Sequence, residues 1–312
     1  MGKTLHITNG QNLTDYLNEL EVDGDFLTWH EMLCEGPTVA HIDSEDFITV
    51  RKNFLKEYYS IELDEKRFKN ELKKLNEVDK YSEIVLWFEY DLFCHMNLIA
   101  VMSLIHQREI KLPLYLVCSG RIKGEKELKG LSELKSNQLL KLYENKLKLH
   151  DLDRDLAISL WRTYCGKDHN LFKPYITTKS SFEYMGACLK AHLTRFPDSK
   201  SGLGVLEKNI LKIVKSKEIK SRNHLLGYIL NYQGYYGYGD LQLRRKIEEL
   251  SLFFNEDKES ITLNRIGHEA VLGTKNYARK IKNNISFGGI KRLDYQFDVE
   301  LNKLVKTSAN AD

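Results

Sequence analysis

The chain has 312 residues, 42% of them hydrophobic and 29% charged, a balance that excludes disordered and membrane-spanning classes and suits a soluble globular protein. Four prolines and 19 glycines leave little room for long flexible linkers, and the longest mainly apolar run, residues 98–105, is too short to cross a bilayer. The net charge is only +3, yet residues 200–300 hold 18 Lys and Arg against 12 Asp and Glu, so the C-terminal third permits contact with nucleic acid without requiring it.

Residues 4–8 alternate as a strand does and stop at Asn9-Gly10, a strong turn dipeptide. Leu13, Tyr16, Leu17 and Leu20 then recur at helical spacing. Residues 25–29 read as a second strand, 34–37 as a loop, and 44–59 and 63–78 as charged amphipathic helices. The run Ile84-Val85-Leu86-Trp87-Phe88 suits a parallel strand covered on both faces. A helix over 92–106 and a strand over 114–118 follow.

Strand, helix, strand, helix, strand predicts a doubly wound, mostly parallel, Rossmann-like α/β domain over 1–125. The pattern then turns helical, with candidates at 137–143, 151–164 and 181–195, and this stretch (126–199) is expected to be a helical connector. Phe196-Pro197-Asp198-Ser199 marks a boundary. Helices over 203–214, 223–232 and 240–253, a strand over 261–263 and a turn at 266–269 then predict a winged-helix-like domain over 200–306. Residues 307–312 read as a frayed tail.

Five scattered cysteines with no C-x-x-C pair read as reduced thiols that fill a core. The first residues carry no apolar signal-peptide core, so a cytoplasmic protein with no membrane partner is expected. No G-x-S-x-G, G-x-G-x-x-G, Walker or H-E-x-x-H motif occurs.

The fragments His6-Ile7-Thr8-Asn9-Gly10, Trp29 followed by Glu35-Gly36-Pro37, and Trp87-Phe88-Glu89-Tyr90-Asp91-Leu92 together resemble the uncharacterised bacterial family catalogued as domain of unknown function 1835. The similarity runs on through Gly202-Leu203, Gly239-Asp240-Leu241-Gln242, residues 263–267 and Phe287-Gly288-Gly289. Gln11 stands where that family has Asp, and Tyr90 where it has His. The resemblance implies an architecture but no reaction.

Ligands of doubly wound sheets bind beyond the carboxyl ends of the strands. Glu89 and Asp91, directly after the most apolar strand, are candidate acid, base or metal ligand, with His6 as polar partner. Asp91 would equally cap the next helix, and a strand histidine is commonly a hydrogen-bonded core residue. Thr8, Asn9 and Gly10 could offer backbone N–H groups to a phosphate, and His30, Glu31 and Glu35 a mixed site for a divalent metal, the one candidate cofactor. Arg51 is read as facing an anionic ligand or an ion-pair partner, and Ser119 as a further ligand contact. The expectation is that His6, Thr8, Asn9, Gly10, Glu31, Glu35, Glu89 and Asp91 converge on one cleft.

Three functions compete. The first is an enzyme, a hydrolase or transferase, that binds a small-molecule ligand of nucleotide or phosphorylated-metabolite type. The second is a ligand-responsive DNA-binding regulator in which Gln242, Arg244, Arg245 and Lys246 meet the major groove or phosphates. The third is a non-catalytic interaction adaptor.

Overall fold

Five apolar residues in succession, Ile84 to Phe88, are stable as a strand only where both of its faces are covered. All five are fully buried, and their strand lies at the centre of a sheet. The computed structural model describes residues 2–122, 124–125 and 127–307. The chain runs β1 (Lys3–Asn9), α1 (Gln11–Glu19), β2 (Asp25–Trp29), β3 (Gly36–Pro37), α2 (Glu45–Tyr59), α3 (Glu65–Lys73), β4 (Tyr81–Phe88), α4 (Leu92–Gln107) and β5 (Leu114–Cys118). It continues through α5 (Ser136–Glu144), β6 (Leu147–Leu149), α6 (Asp151–Cys165), α7 (Lys173–Thr177) and α8 (Met185–Thr194). The last part comprises α9 (Val205–Ser216), α10 (Arg222–Tyr232), α11 (Asp240–Glu249), β7 (Phe254–Glu256), β8 (Ile261–Leu263), α12 (Arg265–Leu272), β9 (Ser286–Gly288), β10 (Ile290–Lys291), β11 (Tyr295–Asp298) and β12 (Lys303–Lys306).

The main sheet has five strands in the order β2-β1-β4-β5-β6. The first four are parallel, and β6 runs antiparallel to β5. The expected mixed α/β class is therefore what the chain adopts, with residues 4–8, 84–88 and 114–118 in one sheet. Leu13, Leu17 and Leu139 of α1 and α5 pack on one face against Val85, Trp87 and Val117. Leu5, Ile7, Ile84, Leu86 and Leu116 face the other way, into the larger core. Fully burying a side chain the size of Trp87 contributes about 3 kcal/mol.

Residues 126–199 do more than connect. Leu147–Leu149 adds the antiparallel edge strand, so the sheet extends beyond residue 125. α4 is apolar on nearly every side and buried along its length, which requires an outer cover; α6 and α8 supply it. Ser44 and Asp91 cap α2 and α4 by accepting from the Phe47 and Cys94 N–H groups.

In the C-terminal third, Ile219 bridges Ile261 between α9 and α10, and β7 pairs with β8. Residues 266–269, read as a turn, lie within α12, which Asn264 caps through the Gly267 N–H. Gly36 and Pro37, read as a loop, pair in parallel with Phe287 and Gly288 of β9. Leu98, Leu189, Ile210, Leu243 and Phe287 belong to one contiguous core. Of the tail expected to fray, residues 308–312 lie outside the described residues; the Thr307 hydroxyl donates to the Leu293 carbonyl. Among the described residues, no helix is long and apolar enough to cross a membrane.

Candidate functional site

From β1 the chain passes through α1 to β2 on one side, and from β4 through α4 to β5 on the other. Where the winding reverses, the loops leaving two neighbouring strands part and open a crevice. Here those loops are Asn9 with Gly10, and Glu89 with Tyr90 and Asp91.

The two loops are tied together through α4. The Asn9 amide donates to Cys94 Sγ at 3.0 Å, and the Asn97 amide donates to Asn9 Oδ1 at 2.8 Å. Asp91 Oδ1 accepts from the Cys94 N–H at 2.8 Å, and Glu89 Oε1 from the Leu131 N–H at 2.7 Å. Carboxylate oxygens of Glu89 and Asp91 and the Cys94 sulfur lie within 4.8 Å of one another. Among the described residues, neither carboxylate has a Lys or Arg partner. Ser119, the residue after β5, whose Cys118 lies opposite Phe88 of β4, carries a buried hydroxyl with no hydrogen-bond partner among the described residues.

Burial sets the electrostatics. Desolvation, reinforced by the charge of Asp91, pushes the Glu89 carboxyl up to about 7 against the pull of the Leu131 N–H. Desolvation likewise raises Asp91 to about 6, opposed by the Cys94 N–H. The Cys94 thiol is held well above its usual range by burial and then by the two acids. Glu89, Asp91 and Cys94 are the residues that could hold a cation, and a thiolate would form there only if a cation displaced its proton.

The cover comes from distant segments. Leu92 and Phe93 N–H groups donate to the Tyr235 and Tyr236 carbonyls at 2.8 and 3.2 Å, so together with Asp91 they close the N-terminus of α4 to any ligand. The Tyr90 ring stands 6.0 Å from Tyr184 and 6.2 Å from Tyr235, centroid to centroid. Gly237 (φ +65) presses on the Asp91 carboxylate, where any Cβ would overlap it. By contrast, α1 begins at Gly10 (φ +107) with no side-chain cap, and a Cβ there would meet nothing within 4 Å. The Arg67 guanidinium reaches the same terminus by donating to Gln11 Oε1 at 2.7 Å. His30 lies beside it; partial desolvation of its ring and then the Arg67 charge lower its pKa.

Several expected site residues lie elsewhere. His6 points to the α1 and α5 face of the sheet, fully buried; its Nε2 bonds the Asp23 carbonyl at 3.1 Å and its Nδ1 accepts from Trp87 Nε1 at 3.0 Å. It is a core histidine whose pKa burial lowers. Thr8 joins a buried hydroxyl chain with Thr14 and Thr28 on the same face. Glu31 and Arg51 form a buried ion pair at 3.0 Å, and Arg51 also donates to the Met32, Glu35 and Pro37 carbonyls, which moulds the 31–37 loop. Both side chains are buried in the ion pair.

Glu35 is occupied by Tyr59 and by Arg245, one of the residues read as a DNA contact. Lys246 is buried on Glu207 at 3.1 Å, and Gln242 is buried with its Oε1 on the Gly239 N–H. Of the four, Arg244 alone is exposed at the helix surface, donating to Asn223 at 2.7 Å. Buried charges are retained where they find partners, and these partners lie on other elements that the helix period cannot reveal. Arg67, Asn97 and Tyr184 escape a reading of the sequence for the same reason. Of these, Asn97 carries a signal, as one of the few polar residues in a mainly apolar helix.

The fold defines a mixed α/β protein with an acid pair after the central strand, where its mostly parallel sheet reverses winding. No family model matches the chain, and no curated protein is similar to it. Among solved structures, the DNA-binding, cleavage and re-ligation domain of Plasmodium falciparum topoisomerase II is similar at a TM-score of 0.48 and 13% identity. The match covers 80% of this chain and 42% of that one, so the chain spans less than half the length of that relative.

Proposed function

We propose that the protein binds a nucleotide or phosphorylated metabolite in the crevice at the winding reversal and acts on it as a hydrolase or transferase. The observation that carries this reading is the Glu89 carboxyl beside Asp91, with no Lys or Arg partner among the described residues and raised to about 7, because a group that titrates near neutrality both gives and takes a proton efficiently. The uncapped start of α1, with Arg67 beside it, offers backbone N–H groups and a positive charge to a phosphate. Asn9 supplies a hydrogen-bonding edge between the two. In this reading Glu89 protonates a leaving group or activates a nucleophile, and Asp91 acts by holding its pKa up.

The order α9, Ile219 bridge, α10, α11, β7, β8 also supports a winged-helix reading of the C-terminal third. Its third helix turns Arg245 and Lys246 inward, so that module serves here as a docking element over the sheet rather than as a reader of duplex DNA.

The test is a thermal-shift screen with nucleoside mono-, di- and triphosphates and sugar phosphates, followed by turnover assays on those that stabilise. Glu89→Gln should retain ligand stabilisation and lose turnover by about a hundredfold or more. No stabilisation by any member of the panel, or full turnover by the Gln variant, would overturn the proposal.

A further inference from the structure

We infer that two adjoining basic clefts on either side of Tyr295 form a binding groove for single-stranded nucleic acid, separate from the crevice at Glu89. The first cleft, about 790 Å³, lies between residues 37–40, the end of α6 and the β9–β10 hairpin. Arg162, Lys167 and Lys291 line it, with Asp294 the one acid among the described residues. The second, about 700 Å³, is lined by Lys280 and Lys306 and, among the described residues, by no acid. Tyr295 lines both.

Exposed cations are ordinary on a protein surface. What distinguishes these is their common sign across two adjoining concavities in a chain whose net charge is only +3. Some exposed arginines elsewhere are taken up by acids, as Arg222 is by Glu248 and Glu256 and Arg265 by Glu269. Among the described residues, Arg162, Lys291 and Lys306 have no ion-pair partner.

The walls are closely packed. Gly288 and Gly289 lie against the backbone of Tyr164, Cys165 and Gly166 so closely that any side chain at either would overlap it. The Gly289 N–H donates to the Tyr164 carbonyl at 2.9 Å, and Lys167 Nζ to the Gly289 carbonyl at 2.7 Å. The Tyr295 hydroxyl donates to the Lys167 carbonyl at 2.9 Å, and its ring meets Phe196 edge-on at 6.5 Å. A half-buried aromatic ring is thus held between two cationic hollows, with the amides of Asn284 and Gln296 on either side.

Each cleft alone has the volume of a small-molecule pocket. Two clefts sharing one wall suit an extended polyanion instead, whose phosphates follow the cations while a base meets the ring. Duplex DNA is read by protruding helices or ribbons that enter its grooves. A concave surface split by an aromatic ring matches a single strand better.

The experiment is fluorescence anisotropy of an end-labelled single-stranded oligonucleotide of about a dozen nucleotides with the full chain. Wild type should bind at low salt, with affinity falling as salt rises. Arg162→Glu, Lys291→Glu and Lys306→Glu should each weaken binding about tenfold. Lys258→Glu, the same charge change at the exposed turn between β7 and β8, should leave it within about twofold. Tyr295→Leu, checked for an unchanged melting temperature or compared at a temperature where it is folded, should weaken the oligonucleotide but not inorganic polyphosphate. Absence of single-strand binding at low salt, tighter binding of the matching duplex, or an equal loss in Lys258→Glu would each overturn the inference. Equal loss of oligonucleotide and polyphosphate in Tyr295→Leu would overturn its nucleic-acid part.

Discussion

Glu35 and Arg245 stand 210 residues apart in the chain and meet in two hydrogen bonds of 2.7 and 2.9 Å. Glu35 is fully buried, and the Tyr59 hydroxyl completes its shell. Burial alone would raise its carboxyl, yet Arg245, then Lys246 and Tyr59, hold it below the usual carboxylate range. The pair joins the loop after β2 to α11, so the C-terminal helices are fastened to the sheet by a charge that neither side can release cheaply.

Arg245→Met should therefore destabilise the whole protein by about 3 kcal/mol, because it strands a buried carboxylate. Adding Glu35→Gln to it should restore part of that loss, since the pair is then removed together. Urea denaturation of both variants checks this; an Arg245→Met variant within about 0.5 kcal/mol of wild type would mean the pair contributes nothing.

Acid should act through a second buried group. Burial opposes ionisation of Glu207, but Arg292 at 2.8 Å and Lys246 at 3.1 Å hold its carboxyl down to about 2. A depressed carboxyl contributes stability that is present above its unfolded value and lost as pH falls. Between pH about 4.5 and 2 the wild type should lose on the order of 3 kcal/mol through this group. Glu207→Gln should flatten that part of the pH–stability curve, read from melting temperatures in a pH series.

Alkali should act at the crevice with the opposite sign. Glu89 and Asp91 are raised, to about 7 and about 6, so their neutral forms suit the fold and stability is lost as pH rises through those values. Glu89→Gln should gain on the wild type by about 1–2 kcal/mol between pH 5 and pH 8, allowing for the solvent that reaches this half-buried group. A divalent cation that occupies the site should erase the difference. A melting-temperature gap independent of pH would show that Glu89 does not titrate as described.

His6 separates core from site. His6→Leu removes the acceptor of Trp87 Nε1 and the donor to Asp23 and should cost about 2 kcal/mol. Ligand stabilisation at the Glu89 crevice, once a ligand is found, should survive in this variant. Loss of ligand binding in a folded His6→Leu would return His6 to the site.

The periodicities of residues 4–8, 84–88 and 114–118 read directly as strands of a shared sheet because a two-sided apolar strand has one stable environment. Asp91 was legible as a cap for similar reasons, since a helix start needs a local acceptor. The crevice was half legible: topology alone brings Asn9 and Gly10 beside Glu89 and Asp91. The direction of His6 and Thr8 was not, although period 2 carried the hint, since both share a face with residues that pack under α1.

What the sequence by itself determined are the elements whose causes are local: helix faces, caps, turns and the buried parallel strands. Only the tertiary structure decided that 36–37 and 286–288 share a sheet, that α6 and α8 cover α4, and that Arg51, Arg245 and Lys246 are internal. A lone charged residue looks the same in sequence whether it meets solvent, a phosphate or a buried carboxylate. Its role is set by which desolvated partner the fold brings within about 3 Å, and that partner lies on another element, here 20 residues away for Arg51 and 210 for Arg245.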